Sequence, residues 1–316
     1  MQPQTKKIAI LQGNQPQDLR NDFKEFQKLN VAYLRLGDEA SKLQPALILA
    51  PESCLSFPWY RIAKKIDALA KDLDWQRDEC VDWMIRSQKW NADLLFGFIT
   101  LNPFSADKRP ANSALLLDRQ RQERGCFDKI YCLPFGEYIP WADTLPFMKL
   151  LSPYPYEYTV RQGTQINTLS WDGHRIAPLI CYEDTVPDLP LAFMRQDNPD
   201  FFVNLSNDGW FKGWEEHEQH LVCARFRCIE TRRAMVRAVN MGISCIIDGF
   251  GRIIALPPGS TTWHEAKNRE AVIVGTVPLY SQNTLYVRWG DALPLICWAM
   301  MVAGLAISFF KRKQQQ

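Results

Sequence analysis

Short apolar runs recur along this chain, and most of them are too short to be helices. β-type runs occur at Ile8–Leu11, Ala46–Ala50, Leu94–Thr100, Ala114–Leu117, Ile176–Ile180, Phe201–Leu205, Ser244–Ile247 and Ala271–Val277. Runs of this length, rich in branched residues and bounded by polar turns, predict buried strands. Helical periodicity covers about 18–36, 75–90 and 215–235. Strands interleaved with helices predict a layered α/β fold. Some successive strands have no helix between them, so the sheet is expected to be mixed rather than purely parallel. Residues 140–160, rich in Pro and Tyr, read as a long surface excursion of the kind that often serves as a lid.

The last apolar segment differs in kind. Ala292 to Phe310 carries no charge and stops at Lys311-Arg312-Lys313. A helix of about 20 apolar residues crosses ~30 Å of hydrocarbon, so a C-terminal transmembrane helix is expected here. Trp289 at its entrance is placed to be an interfacial anchor, and the basic cluster favours a cytoplasmic C-terminus. Residues 1–290 would then lie on the outer face of that membrane. The other end is unlike it. Two lysines within Met1–Lys7, followed by only Ile8–Leu11, form neither a secretory signal nor an anchor.

Composition narrows the classes. The chain has 316 residues, of which 47% are hydrophobic, enough for one sizeable α/β unit. Net charge is only +2, and no basic block with interleaved aromatics marks a nucleic-acid surface. The nine cysteines are odd in number and contain no Cys-x-x-Cys pair. That argues against a zinc site, a redox motif or a complete disulfide framework, and leaves at least one thiol free. His217 and His220 are spaced i, i+3 rather than the i, i+4 of a metalloprotease helix, and read as structural. No metal or other cofactor is expected.

The chemistry concentrates where apolar runs end. Ile176–Ile180 runs straight into Cys181, followed by Tyr182, Glu183 and Asp184. A cysteine at a strand end beside carboxylates is a place to display a nucleophile, although free cysteine is also among the most buried residue types. Ala46–Ala50 leads into Pro51-Glu52, and Lys129 and Glu137 flank a Pro/Gly turn at Leu133–Gly136 that is expected to bring Glu137 back toward Lys129. A protonated thiol needs a base or a positive neighbour. A glutamate takes its proton; a lysine lowers its pKa and stabilises an oxyanion, with the backbone N–H after the cysteine. Ser206-Asn-Asp-Gly209 has the composition of a loop lining such a site, and Trp210 and Phe211 are candidate walls of an acyl pocket.

Pro51-Glu52, Asp128-Lys129 and Cys181-Tyr182-Glu183 resemble the Glu-Lys-Cys motifs of the nitrilase (carbon–nitrogen hydrolase) superfamily. Leu11-Gln-Gly-Asn14, Leu133–Pro140, Asn204–Phe211, Glu218–Leu221 and Arg237–Ser244 narrow the resemblance to the catalytic domain of the apolipoprotein N-acyltransferases, over about residues 6–310. The resemblance implies a nitrilase-like α-β-β-α sandwich in residues 1–288, with the membrane helix and basic tail in 289–316. It implies Glu52 as general base, Lys129 as oxyanion stabiliser and Cys181 as nucleophile, supported by Glu137, Tyr182 and Glu183. The implied reaction moves an acyl chain from a phospholipid, through a cysteine thioester, to the α-amino group of a diacylglyceryl-cysteine lipoprotein. The implied location is the inner membrane of a bacterial cell, periplasmic face. Family members carry membrane helices before this domain. A C-terminal fragment, or a member whose membrane portion is a separate chain, is therefore expected. The alternatives are a small-amide hydrolase and a membrane-tethered pseudoenzyme.

Overall fold

The structure is a computed structural model. It describes residues 3–16, 26–55, 59–60, 82–101, 107, 109–142, 144–151, 159–211 and 215–314. Two mixed sheets dominate it. The first takes β1 (Ile8–Gln12), β2 (Leu47–Ala50), β3 (Trp59–Tyr60), β4 (Asp93–Leu101), β5 (Ala111–Leu117) and β6 (Glu123–Asp128), with β13 (Ala271–Gly275) at its far edge. Its order is β13-β1-β2-β4-β5-β6, and β3 pairs with β4. The second sheet has the order β12-β11-β10-β9-β8-β7. It is built from β7 (Leu169–Trp171), β8 (His174–Ile180), β9 (Phe201–Ser206), β10 (Ala234–Val239), β11 (Cys245–Ile247) and β12 (Ile253–Ala255). Pairing is parallel across β1-β2-β4 and across β8-β9-β10, and antiparallel toward the edges.

Side-chain alternation along β1 shows why the sheets stack. Ile8 and Ile10 point into a core shared with Leu179, Phe202 and Ile246 of the second sheet. Ala9 and Leu11 point the other way, onto Tyr33, Leu36 and Ala40 of helix α1 (Phe26–Ser41). Successive strand residues face opposite sides, so a run apolar at every position must be covered twice. A second helix, α2 over residues 82–88, lays Trp83 on that same outer layer. Helices α3 (Asp188–Gln196) and α4 (Glu216–Thr231) contribute Phe193 and Leu221 to the core around the second sheet. Each Leu or Ile so buried contributes about 1.5–3 kcal/mol. The result is an α-β-β-α sandwich.

The eight expected strands are present. The expected helix at 18–36 is α1, displaced toward the C-terminus, with residues 17–25 outside the described set; of 75–90, only residues 82–88 form a described helix. The helix expected at 215–235 stops early. Arg232 turns into the left-handed region (φ 54°) and β10 starts at Ala234. No Gly or Pro marks that break, and Arg233 hides its charge on backbone carbonyls of Pro199 and Gln282.

The chain ends in α5 (Trp263–Ala266), α6 (Leu285–Trp289) and α7 (Ala292–Gln314). Helix α7 leaves the sandwich with Leu293, Leu295, Ile296, Trp298, Met300 and Leu305 exposed. Among the described residues, no helix is long and apolar enough to cross a membrane; Phe309 lies outside the described side chains of α7.

Candidate active site

Four of the site's side chains sit just past the C-terminal end of a strand. Glu52 follows β2, Lys129 follows β6, Cys181 follows β8 and Asn207 follows β9. This is the edge at which α/β sheets generally bind ligands. The approach is tight. A Cβ on Gly97 of β4 would lie 2.5 Å from Glu52 Cα, so glycine there lets the Glu52 turn close against the neighbouring strand. Gly163 does the same beside Lys129, where a Cβ would run into the carbonyl oxygen of Asp128.

Three of the side chains form one charged group. Lys129, 1% exposed, donates to Glu137 Oε1 at 2.9 Å, and its Nζ lies 3.8 Å from Glu52 Oε1. Asn112 Nδ2 donates to Glu52 Oε1 at 2.6 Å and to Glu137 Oε1 at 3.3 Å. The backbone N–H of Asn207 donates to Glu52 Oε2 at 3.0 Å, and that of Leu133 to Glu137 Oε2 at 2.7 Å. Burial opposes the charge on Lys129, but Cys181, Glu52 and Glu137 raise its pKa in sum. It is a fixed cation.

Cys181 occupies a strained elbow. Strand β8 ends at Ile180, a 3₁₀ turn begins at once, and Cys181 takes φ 53°. A non-glycine residue in that region costs about 1–3 kcal/mol unless its surroundings impose it. Here they do. The Glu183 carboxylate is fully buried behind the turn, accepting from Ile180 N at 2.8 Å, Ile130 N at 2.7 Å and Tyr131 N at 2.9 Å. One side chain thus ties the Cys181 elbow to the Lys129 loop. Burial raises the Glu183 pKa to about 7 against those hydrogen bonds. On the other side, Asn204 Nδ2 donates to the Cys181 carbonyl at 2.9 Å and His220 Nε2 at 3.2 Å.

Beneath the elbow lies a second, sealed cluster. His220 Nδ1 meets Asp208 Oδ1 at 3.1 Å, and its Nε2 lies 2.7 Å from Asp184 Oδ1. Arg237 pairs with Asp184 and stands 3.7 Å from Asp208 Oδ2. Burial pulls the His220 pKa down, but Asp184 and Asp208 lift it to about 10. Burial likewise opposes ionisation of Asp208, yet His220 and Arg237 hold it at about 2. Two anions and two cations balance. The i, i+3 spacing predicts structural histidines; His217 Nε2 pairs with the Asp208 carbonyl at 2.9 Å, whereas His220 also reaches the cavity wall.

A cavity of about 560 Å³ opens between these groups. Glu52, Lys129, Glu137, Cys181 and Tyr182 line it, together with Asn112, Asn207, Trp210, Glu216 and His220. Glu183 does not; it works from behind. Trp210 thus lies on the wall, while Phe211 falls outside the described side chains. Of the 140–160 excursion, Val160 reaches the cavity, and residues 143 and 152–158 lie outside the described set. The thiol departs from expectation in one respect. Burial and Glu52 raise the Cys181 pKa well above normal, outweighing the lowering by Lys129. The resting pair is a thiol facing a carboxylate, and the proton moves when the sulfur attacks. Nothing in the local sequence pattern marks Asn112, Glu216 or Arg237 as part of this site. All the described cysteines are free thiols.

The carbon-nitrogen hydrolase family model matches residues 7–280. Apolipoprotein N-acyltransferase of Geobacter metallireducens is 34% identical over 97% of this chain and 54% of its own length. That of Bradyrhizobium diazoefficiens is 30% identical over 94% of this chain and 53% of its own. The chain therefore spans about half the length of these relatives. In fold it is similar to Nit3 of Saccharomyces cerevisiae, a member of branch 10 of the nitrilase superfamily, with a TM-score of 0.59 at 14% identity over 92% of this chain and 94% of that one.

Proposed function

The chain belongs to the carbon-nitrogen hydrolase family, and on that premise we propose that residues 1–288 are the catalytic domain of a lipoprotein N-acyltransferase. One observation carries the reading: Cys181, Glu52 and Lys129 converge on one cavity. In the proposed first step the Cys181 sulfur attacks the ester carbonyl carbon of a phospholipid while Glu52 takes the thiol proton. Lys129 and the backbone N–H after Cys181 stabilise the oxyanion. Collapse breaks the C–O bond, Glu52 returns the proton to the departing lysophospholipid alkoxide, and a thioester remains. In the second step the α-amino nitrogen of a diacylglyceryl-cysteine lipoprotein attacks that thioester. Glu52 takes a proton from the amine, the C–S bond breaks, and the proton goes back to the Cys181 sulfur. Glu137 and Asn112 hold Lys129 and Glu52 in register, Tyr182 flanks the acyl chain and Glu183 fixes the elbow.

Both substrates are membrane lipids, which fits the other end of the chain. We read 289–316 as a membrane anchor and tail, on the uncharged run Ala292–Phe310, the outward-facing apolar side chains of α7 and Trp289 at its start. The Lys311-Arg312-Lys313 stop favours a cytoplasmic tail and a catalytic domain on the periplasmic face of the inner membrane. A partner supplying further membrane helices belongs to the same reading. The test uses membrane-embedded protein with labelled phosphatidylethanolamine and a diacylglyceryl lipopeptide. Label in the lipopeptide amide, lost in Cys181→Ala, is the expected result. Label released as free fatty acid with the lipopeptide present would instead mark a hydrolase, and no Cys181-dependent turnover would mark a pseudoenzyme.

A further inference from the structure

Glu216 lies in the first turn of α4 and faces the cavity from one side of that helix, in line with Gln219, His220 and Cys223. Its Oε2 is buried and has no hydrogen-bond partner. Such an oxygen is costly to leave unpaired. Among the described residues, no cation pairs with it. Lys129 is shared between Glu52 and Glu137. His220 and Arg237 are committed to Asp184 and Asp208. The described cavity wall thus carries three carboxylates, Glu52, Glu137 and Glu216, against Lys129 and His220, and Glu216 is the one with an unpaired buried oxygen. We propose that Glu216 binds a primary ammonium group of a substrate in the Cys181 cavity.

This inference rests on the acyl-transfer reading and deepens it. Two lipids in that reaction can bring an ammonium: a phosphatidylethanolamine donor in its headgroup, and the acceptor at its α-amino nitrogen, which passes one proton to Glu216 before its lone pair attacks the thioester. Among the described residues, the charges acting most strongly on Glu216 are Asp208 after β9, His220 on its own helix, Arg237 on β10 and Asp184 behind Cys181. Burial first, then Asp208, raise the Glu216 pKa to about 7. An ammonium site built on it therefore gains strength as pH rises through about 7.

The experiment compares wild type, Glu216→Gln and the charge-keeping Glu216→Asp in bilayers. One arm measures Cys181 thioester formation from phosphatidylethanolamine and from phosphatidylglycerol, which has no amine. The other starts from acylated protein and compares transfer to a lipopeptide amine with transfer to hydroxylamine, which is neutral at the assay pH. Loss of one charge-assisted hydrogen bond predicts a KM rise of about tenfold or more for the amine-bearing lipid relative to its reference. Glu216→Asp is expected to recover part of it. A change confined to the first arm assigns the headgroup, and one confined to the second assigns the acceptor. Unchanged ratios in both arms overturn the inference. In wild type alone, the amine KM should fall as pH rises through about 7; a flat profile counts against the site even if Glu216→Gln fails to fold. Absence of any thioester on wild-type Cys181 would remove the acyl-transfer reading itself, and this inference with it.

Discussion

Two charge clusters flank the Cys181 elbow, and they are built on opposite principles. Glu52, Lys129 and Glu137 share one cation between two carboxylates on a cavity wall, with hydrogen bonds that still leave Glu52 facing the thiol. Asp184, Asp208, His220 and Arg237 are balanced in charge and close to fully buried. The first cluster is arranged so that a proton can leave and return; in the second, His220 is lifted to about 10 and Asp208 held at about 2, so neither titrates near neutrality. An elbow that must hold a strained residue while protons move on one side needs a rigid charge lattice on the other.

The contrast predicts rate losses on one side and stability losses on the other. Glu52→Gln should slow acyl transfer by about 10²–10⁴-fold, the usual worth of a general base, with an unfolding midpoint far less disturbed than for the sealed cluster. Arg237→Met should cost about 3–5 kcal/mol of stability, because it leaves buried carboxylates uncompensated; denaturant unfolding measures it. A loss below about 1 kcal/mol would erase the distinction between the clusters.

The sealed cluster also has a pH signature. The folded pKa of His220 is raised from 6.5 to about 10. Its contribution is therefore complete below pH 6.5 and is lost as pH rises toward 10. Wild type should lose a few kcal/mol more than His220→Gln across that window in parallel unfolding titrations. The smallest effect is expected at Asn112→Ala, which removes one neutral donor from Glu52 and Glu137: about fivefold in rate, near 1 kcal/mol.

The same contrast explains what the chain discloses when read linearly. Strand-end chemistry was legible because Ala46–Ala50 and Ile176–Ile180 stop abruptly at Glu52 and Cys181. Both runs are apolar at every position, and both are buried on both faces. Lys129 was not legible on local pattern alone, since β6 reads Glu-Arg-Gly-Cys-Phe-Asp and carries no apolar period. The sealed cluster was invisible for a related reason. Asp184, Asp208, His220 and Arg237 come from four separate segments, and a charge in a sequence reads as solvent-facing until the fold brings its counter-ion beside it. Arg237 sits within a buried strand as a charge among apolar neighbours, the one local hint that a partner was waiting. Gly97 and Gly163 likewise act through space, by permitting an approach that no neighbouring residue announces.

The central claim is that Cys181 carries the acyl chain. The most direct measurement is intact-mass spectrometry of the membrane-embedded protein, acid-quenched after incubation with a phospholipid of defined acyl chain and no acceptor. A mass increment equal to that chain, located on Cys181, released by neutral hydroxylamine and absent in Cys181→Ala, is the predicted result. An unacylated wild-type protein, or an adduct that survives in Cys181→Ala, would contradict it.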